Sequence, residues 1–222
     1  MEAAKKSETT PARRGAPPWR KVAVAAGAVA WLGLVVAGLG VVLAYEGKPG
    51  EAETAPTRWP SASHIARVEG QSSLVVFVHP RCPCSKASLA ELNVVMNRAT
   101  TGVTAFVVFL RPPGTPVGWE QTGLWEAAAH IPHSVRLVDE HGVEAGLFGA
   151  RTSGQTVLYG PGGELLFAGG ITGSRGHLGD NMGRRALLAG IESGAERGDH
   201  PVFGCELRGP ADDPSRGAEA VK

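Results

Sequence analysis

The run from Val22 to Tyr45 constrains this chain most. Its 24 residues are all Val, Ala, Gly, Leu, Trp or Tyr, without a single charge, and about 20 such residues suffice for a helix to cross a bilayer. A core helix of a soluble domain would keep a polar face, and this run has none. Lys5, Lys6, Arg13, Arg14, Arg20 and Lys21 precede it against only Glu2 and Glu8, while Glu46, Lys48, Glu51 and Glu53 follow. The positive-inside bias then puts the N-terminus in the cytoplasm and everything after Tyr45 outside. A cleaved signal peptide competes, since Val42-Leu43-Ala44 suits cleavage, but its apolar region normally spans only about 7–15 residues. The expectation is a single-pass anchor in the cytoplasmic (inner) membrane, with the following domain facing the periplasm or the cell exterior.

The rest divides by composition. Residues 1–21, with Pro11, Pro17 and Pro18 among charged and small residues, read as a cytoplasmic tail, 22–45 as the transmembrane helix and 46–62 as a linker. Residues 63–207 form the expected domain, and 208–222, polar and without periodicity, a disordered tail. The formal charge of +1 comes from 22 basic and 21 acidic residues, and no basic stripe recommends a nucleic-acid surface. Within the domain, β-branched apolar runs at Ser73–Val78, Val103–Leu110 and Ser134–Val138 predict buried strands. Helical spacing predicts helices over Ser85–Asn97, Trp119–His130, Val143–Phe148 and Met182–Glu192. Gln155–Tyr159 and Glu164–Ala168 flank Gly160-Pro161-Gly162-Gly163, a hairpin signal. Strands separated by helices, then a hairpin and a terminal helix, predict an α/β domain with a mixed sheet.

The three cysteines, Cys82, Cys84 and Cys205, are too few to staple a scaffold, and their odd number leaves one thiol without an intramolecular partner. Cys82-Pro83-Cys84 follows a predicted strand and opens a predicted helix, whose first turn holds Pro83 and Ser85. Unpaired N–H groups and the positive end of the helix dipole stabilise a thiolate there. His79 and Arg81 would push the same way if cationic and near the sulfur. Chance proximity of two core cysteines is the bland alternative, but it leaves the flanking proline at a loop-to-helix junction unexplained.

Val75-Val76-Phe77-Val78-His79-Pro80-Arg81-Cys82-Pro83-Cys84-Ser85-Lys86 resembles the strand, active-site loop and helix start of thioredoxin-like proteins, with Phe77 in place of their strand phenylalanine. The resemblance implies a thioredoxin-like three-layer α/β fold with a mixed sheet, preceded here by one N-terminal transmembrane helix. Cys82 then takes the attacking cysteine's place and Ser85 that of the resolving cysteine, while Gln155 stands where the family has a cis-proline facing the site. Together with Thr152-Ser153-Gly154-Gln155, the stretch from Gly169 to His177 and Val202-Phe203-Gly204-Cys205, the pattern resembles the small RedB-type group.

The activity so implied is thiol–disulfide exchange with a protein disulfide or dithiol partner, without a bound cofactor. Cys82 would attack, and Cys84 or Cys205 would resolve the mixed disulfide. A Cys82–Cys84 bond would close a loop of one residue and would be strained. The alternative is a Cu(I)-binding module using Cys82, Cys84 and His177, since paired thiolates make a soft site. A peroxidase is a third reading, weakened because His79 stands where peroxiredoxins place the threonine of Thr-x-x-Cys. Cys205 reads equally as a resolving thiol or as a buried residue. In the glycine-rich loop Gly173–Asn181, His177 reads as a surface residue or as a supporting or metal partner, and Asp180 or Asn181 as a helix N-cap. His130, His133, His141 and His200 show no ligand spacing.

Overall fold

The computed structural model describes residues 18–99, 102–194 and 199–207. The expected tail at 208–222 and residues 1–17 of the expected cytoplasmic tail lie outside the described residues. The chain divides into two units, a first ending at Ala44 and a second beginning at Tyr45. The first is dominated by helix α1, Pro18–Glu46, 29 residues long, or roughly 43 Å at 1.5 Å per residue. It starts before the expected boundary because Pro18 suits a first helical position, where no N–H is needed. Trp19–Glu46 is long and apolar enough to cross a membrane.

The second unit is a six-stranded sheet with helices on both faces. Its elements are β1 Ser72–Val78, α2 Ser85–Arg98, β2 Val103–Arg111, α3 Gly123–Ala128, β3 Ser134–Glu140, α4 Val143–Leu147, β4 Thr156–Tyr159, β5 Leu165–Gly169, α5 Met182–Ser193 and β6 Asp199–His200. The sheet order is β3-β2-β1-β4-β5-β6. β1 pairs with β2, and β2 with β3, in parallel, while β4 runs antiparallel to β1 and to β5. The central strands β1 and β2 are apolar on both faces because both are covered. Leu74, Val76 and Val78 meet Leu89, Leu92, Val95 and Met96 of α2 and Leu187 of α5 on one side. Val75 and Phe77 meet Phe106, Val108, Phe148 and Tyr159 on the other.

Three elements depart from expectation. Helix α3 is shorter than the expected Trp119–His130, because Thr122 caps it, its hydroxyl accepting from the Leu124 N–H at 3.3 Å. The two-residue strand β6, which pairs in parallel with β5, has too little sequence to carry a strand signal. Residues 50–59, expected within a linker, instead strap the second face of the sheet. Gly50 donates to the Val202 carbonyl at 2.8 Å, Tyr159 Oη donates to the Pro56 carbonyl at 2.9 Å, and Leu165 donates to the Thr57 carbonyl at 3.0 Å. Trp59 packs edge-on against Phe148 and Tyr159, at centroid distances of 4.9 and 5.2 Å. The physical reason is coverage: α4 has five residues, too few to bury that face alone.

Candidate functional site

The site forms where the C-terminal end of β1 meets the start of α2. Residues 79–85 turn tightly, with the Cys82 N–H donating to the His79 carbonyl at 3.0 Å and the Ser85 N–H to the Cys82 carbonyl at 3.2 Å. Cys84 is the N-cap of α2, already in helical conformation, and its side chain caps nothing. Both cysteines therefore sit at the positive end of a 14-residue helix.

Ser153 ties this turn to the rest of the sheet. Fully buried, its hydroxyl accepts from the His79 N–H at 2.7 Å and shares a hydrogen bond with the Ser85 hydroxyl at 2.6 Å. Its own N–H donates to the Cys205 carbonyl at 2.8 Å. The chain carrying Cys205 thus lies directly against the site, and Gly204 permits the approach, since a Cβ there would collide with the Ser153 carbonyl. The Cys205 N–H donates to Cys82 Sγ at 3.3 Å across 123 residues of sequence.

All three cysteines are free thiols, Cys82 buried and the other two half-buried. Burial works to raise the Cys82 thiol pKa, but hydrogen bonds from the side chains of Cys205 and Ser85 and from their backbone N–H groups outweigh it, so the net shift is downward. Burial and the neighbouring Cys82 charge raise Cys84, against a smaller opposing effect of Arg175. Burial, with the hydrogen bond to Cys82 and its charge, pushes Cys205 up to about 12, again eased by Arg175. The arrangement favours the thiolate at Cys82 over those at Cys84 and Cys205.

The expected supporting residues divide. Ser85 is at the sulfur. Burial and the Arg81 charge hold the His79 imidazole below its usual pKa, and its Nδ1 accepts from the Arg81 N–H at 3.2 Å. It is therefore a neutral acceptor, not the cation that sequence position suggested. The Arg81 guanidinium stacks over Trp119 at 4.7 Å. Gln155 is buried, but its amide binds the Gly149 carbonyl at 2.9 Å and the Arg151 N–H at 3.2 Å, so it organises the 149–151 loop instead of facing the thiols. His177 is exposed, its Nδ1 3.3 Å from the Arg175 carbonyl. Among the described residues, no group of three or more His, Cys, Asp or Glu side chains is disposed to hold a metal ion. The set Cys82, Cys84 and His177 is thus not assembled as a three-residue group.

Two contributors escaped the sequence. Ser153 stands beside Gln155 and has no distinguishing signal. Arg175 lies in the glycine-rich loop where His177 drew attention. Its Nη1 donates to the Gly204 carbonyl, its side chain works to lower the Cys84 thiol pKa, and its buried Nε has no hydrogen-bond partner among the described residues. The far end of the loop is fixed by the Gly179 N–H on Glu91 Oε1 at 2.6 Å and by Asn181, the N-cap of α5, which accepts from Arg184 at 2.9 Å. Asp180 instead pairs with Arg184 and Arg185.

No protein-family model matches the sequence, and no curated protein matches it. Among solved structures, an uncharacterised conserved protein of Geobacillus kaustophilus aligns at 17% identity and TM-score 0.52, over 76% of this chain and 93% of its own. A hypothetical protein of Sinorhizobium meliloti aligns at 17% identity and TM-score 0.50, over 72% and 93%. The exposed lipoprotein thioredoxin Etrx1 of Streptococcus pneumoniae aligns at 19% identity and TM-score 0.41, over 56% and 85%. With three parallel strands followed by an antiparallel pair and paired cysteines opening the helix after β1, the second unit has the thioredoxin-like fold.

Proposed function

We propose that this protein is a membrane-anchored thiol–disulfide exchange protein, in which Cys82 is the attacking thiolate and Cys205 the resolving thiol. The observation that carries the reading is the Cys205 N–H on Cys82 Sγ at 3.3 Å, with the Cys205 side chain among the groups that lower the Cys82 thiol pKa. Cys82 attacks one sulfur of a partner disulfide. A Cys82–partner S–S bond forms, the partner's S–S bond breaks, and the released thiolate takes up a proton. Cys205, having given up its proton, then attacks Cys82 Sγ, forming the Cys82–Cys205 disulfide and releasing the second partner thiolate. Two electrons pass from the protein's thiol pair to the partner, and a second redox partner must restore the pair. Cys84 is the poorer resolver, since a Cys82–Cys84 bond closes over one residue at a helix start.

In this reading helix α1 is a single-pass anchor with the thiol domain on the periplasmic or external side, a topology supported by the excess of Lys and Arg ahead of the helix. The HPRCPCS, TSGQ and VFGC segments support assignment to the RedB-type group. The test is a peptide map of the full chain, oxidised and alkylated without reductant. A Cys82–Cys205 linkage with Cys84 free is the expected result, and three free thiols after exposure to oxidised dithiol would remove the reading.

A further inference from the structure

Cys82 is only 1% exposed, so a partner sulfur needs a specific route to it. A groove of ≈ 490 Å³ supplies one, with Cys82 contributing to its lining. Its apolar surface comes from Pro83, Leu124 and Ala127, and Arg81 and Lys86 are its charged residues. No acidic side chain lines it. The two walls are bound together, because the Thr122 hydroxyl of the α3 cap donates to the Pro80 carbonyl at 2.8 Å. Arg81 is steadied by its stacking on Trp119, 4.7 Å from the ring centroid.

The two cations are poorly explained by folding alone. The first turn of α2 contains no acidic residue, although carboxylates stabilise that end of a helix and cations oppose its dipole. Lys86 stands in that turn and Arg81 just ahead of it, both exposed. A local choice that works against the helix points to a role outside it. Neither side chain is among the groups that lower the Cys82 thiol.

We propose that the groove lined by Arg81, Cys82, Lys86, Pro83, Leu124 and Ala127 docks a partner-protein segment whose cysteine is flanked by an acidic residue and an apolar one. The inference rests on the exchange reading and specifies its partner. The acidic residue pairs with Lys86 and Arg81, while the apolar one lies against Leu124 and Ala127. The segment's sulfur is thereby presented to Cys82, and the step is the exchange already written, with no additional reactant. Like-charged segments are repelled by the same pair, so the groove selects as well as attracts.

The experiment uses the reduced full chain in nonionic detergent and two cyclic disulfide peptides that differ only in carrying Asp-Asp or Lys-Lys beside the cysteine, with a leucine in both. Each exchange rate is divided by that of the same peptide with 2-mercaptoethanol, which removes intrinsic reactivity. The acidic peptide is expected to react about tenfold faster at low salt, with the difference collapsing at high ionic strength. Lys86→Glu, combined with Arg81→Glu, is expected to reverse the order. Equal normalised rates, or a faster basic peptide with the unaltered chain, overturn the acidic-partner inference while leaving thiol exchange standing. No exchange with either peptide overturns both.

Discussion

The backbone N–H of Cys205 donates to the sulfur of Cys82 at 3.3 Å, although 123 residues separate them. The segment carrying Cys205 thus lies against the helix-start site, and in the proposed reading the pair stands in for the two cysteines that an ordinary Cys-x-x-Cys motif keeps within one turn.

Replacing Cys205 with serine is expected to leave the fold intact and to stop the second exchange step. Mixed disulfides between Cys82 and its partner should then accumulate, visible as thiol-sensitive adducts on non-reducing gels. Gly204→Ala should act similarly through displacement, because the added methyl would collide with the Ser153 carbonyl. Unchanged turnover in Cys205→Ser would assign resolution to Cys84.

The titration of Cys82 should follow its hydrogen bonds. Since these favour the thiolate, its alkylation by iodoacetamide should reach half-maximum below the ordinary thiol value. Ser85→Ala removes one donor, so the midpoint should move up and the thiolate fraction at neutral pH should fall. The rate at pH 7 should drop by roughly tenfold or more, the worth of one hydrogen bond to a charged group, about 1.5–3 kcal/mol. The site should otherwise hold, since Ser153 keeps its bond from His79.

Arg175→Met is expected to raise Cys84 and Cys205 further, because the guanidinium favours both thiolates. At about pH 8.5, near the ordinary thiol value, Cys84 alkylation measured by peptide mass should slow. Cys82, whose shift comes from Cys205 and Ser85, should change less. Equal slowing at Cys82 would indicate that the substitution displaced the loop.

Stability should depend on Glu91 and Arg184, a buried ion pair joining α2 to α5. Glu91→Ala leaves the guanidinium without its main partner and frees the Gly179 N–H, at a cost of about 3–5 kcal/mol. The double change Glu91→Met with Arg184→Met should recover much of this, which thermal unfolding of the full chain in detergent would measure.

Regular elements were legible in the sequence because hydrophobic periodicity reports burial directly, as in Ser73–Val78 and Val103–Leu110. Cys82 and Cys84 were legible because a strand-to-helix junction is a local feature. Contacts between distant segments were not. Trp59 reads as linker until Phe148 and Tyr159 are placed beneath it. Arg175 and His177 share one polar loop, and only its path decides which faces the thiols. His79 resembles a cation donor in sequence, but its burial beside Arg81 makes the neutral ring the favoured form.

The outer strands of the sheet have a bearing on crowding. One edge is β3, whose Arg136 covers Trp125 at 4.8 Å and whose end carries the exposed Glu140, and the other is β6, two residues long. Charged or very short edges make poor templates for strand addition. Molecules at high density therefore collide repeatedly without joining their sheets into aggregates.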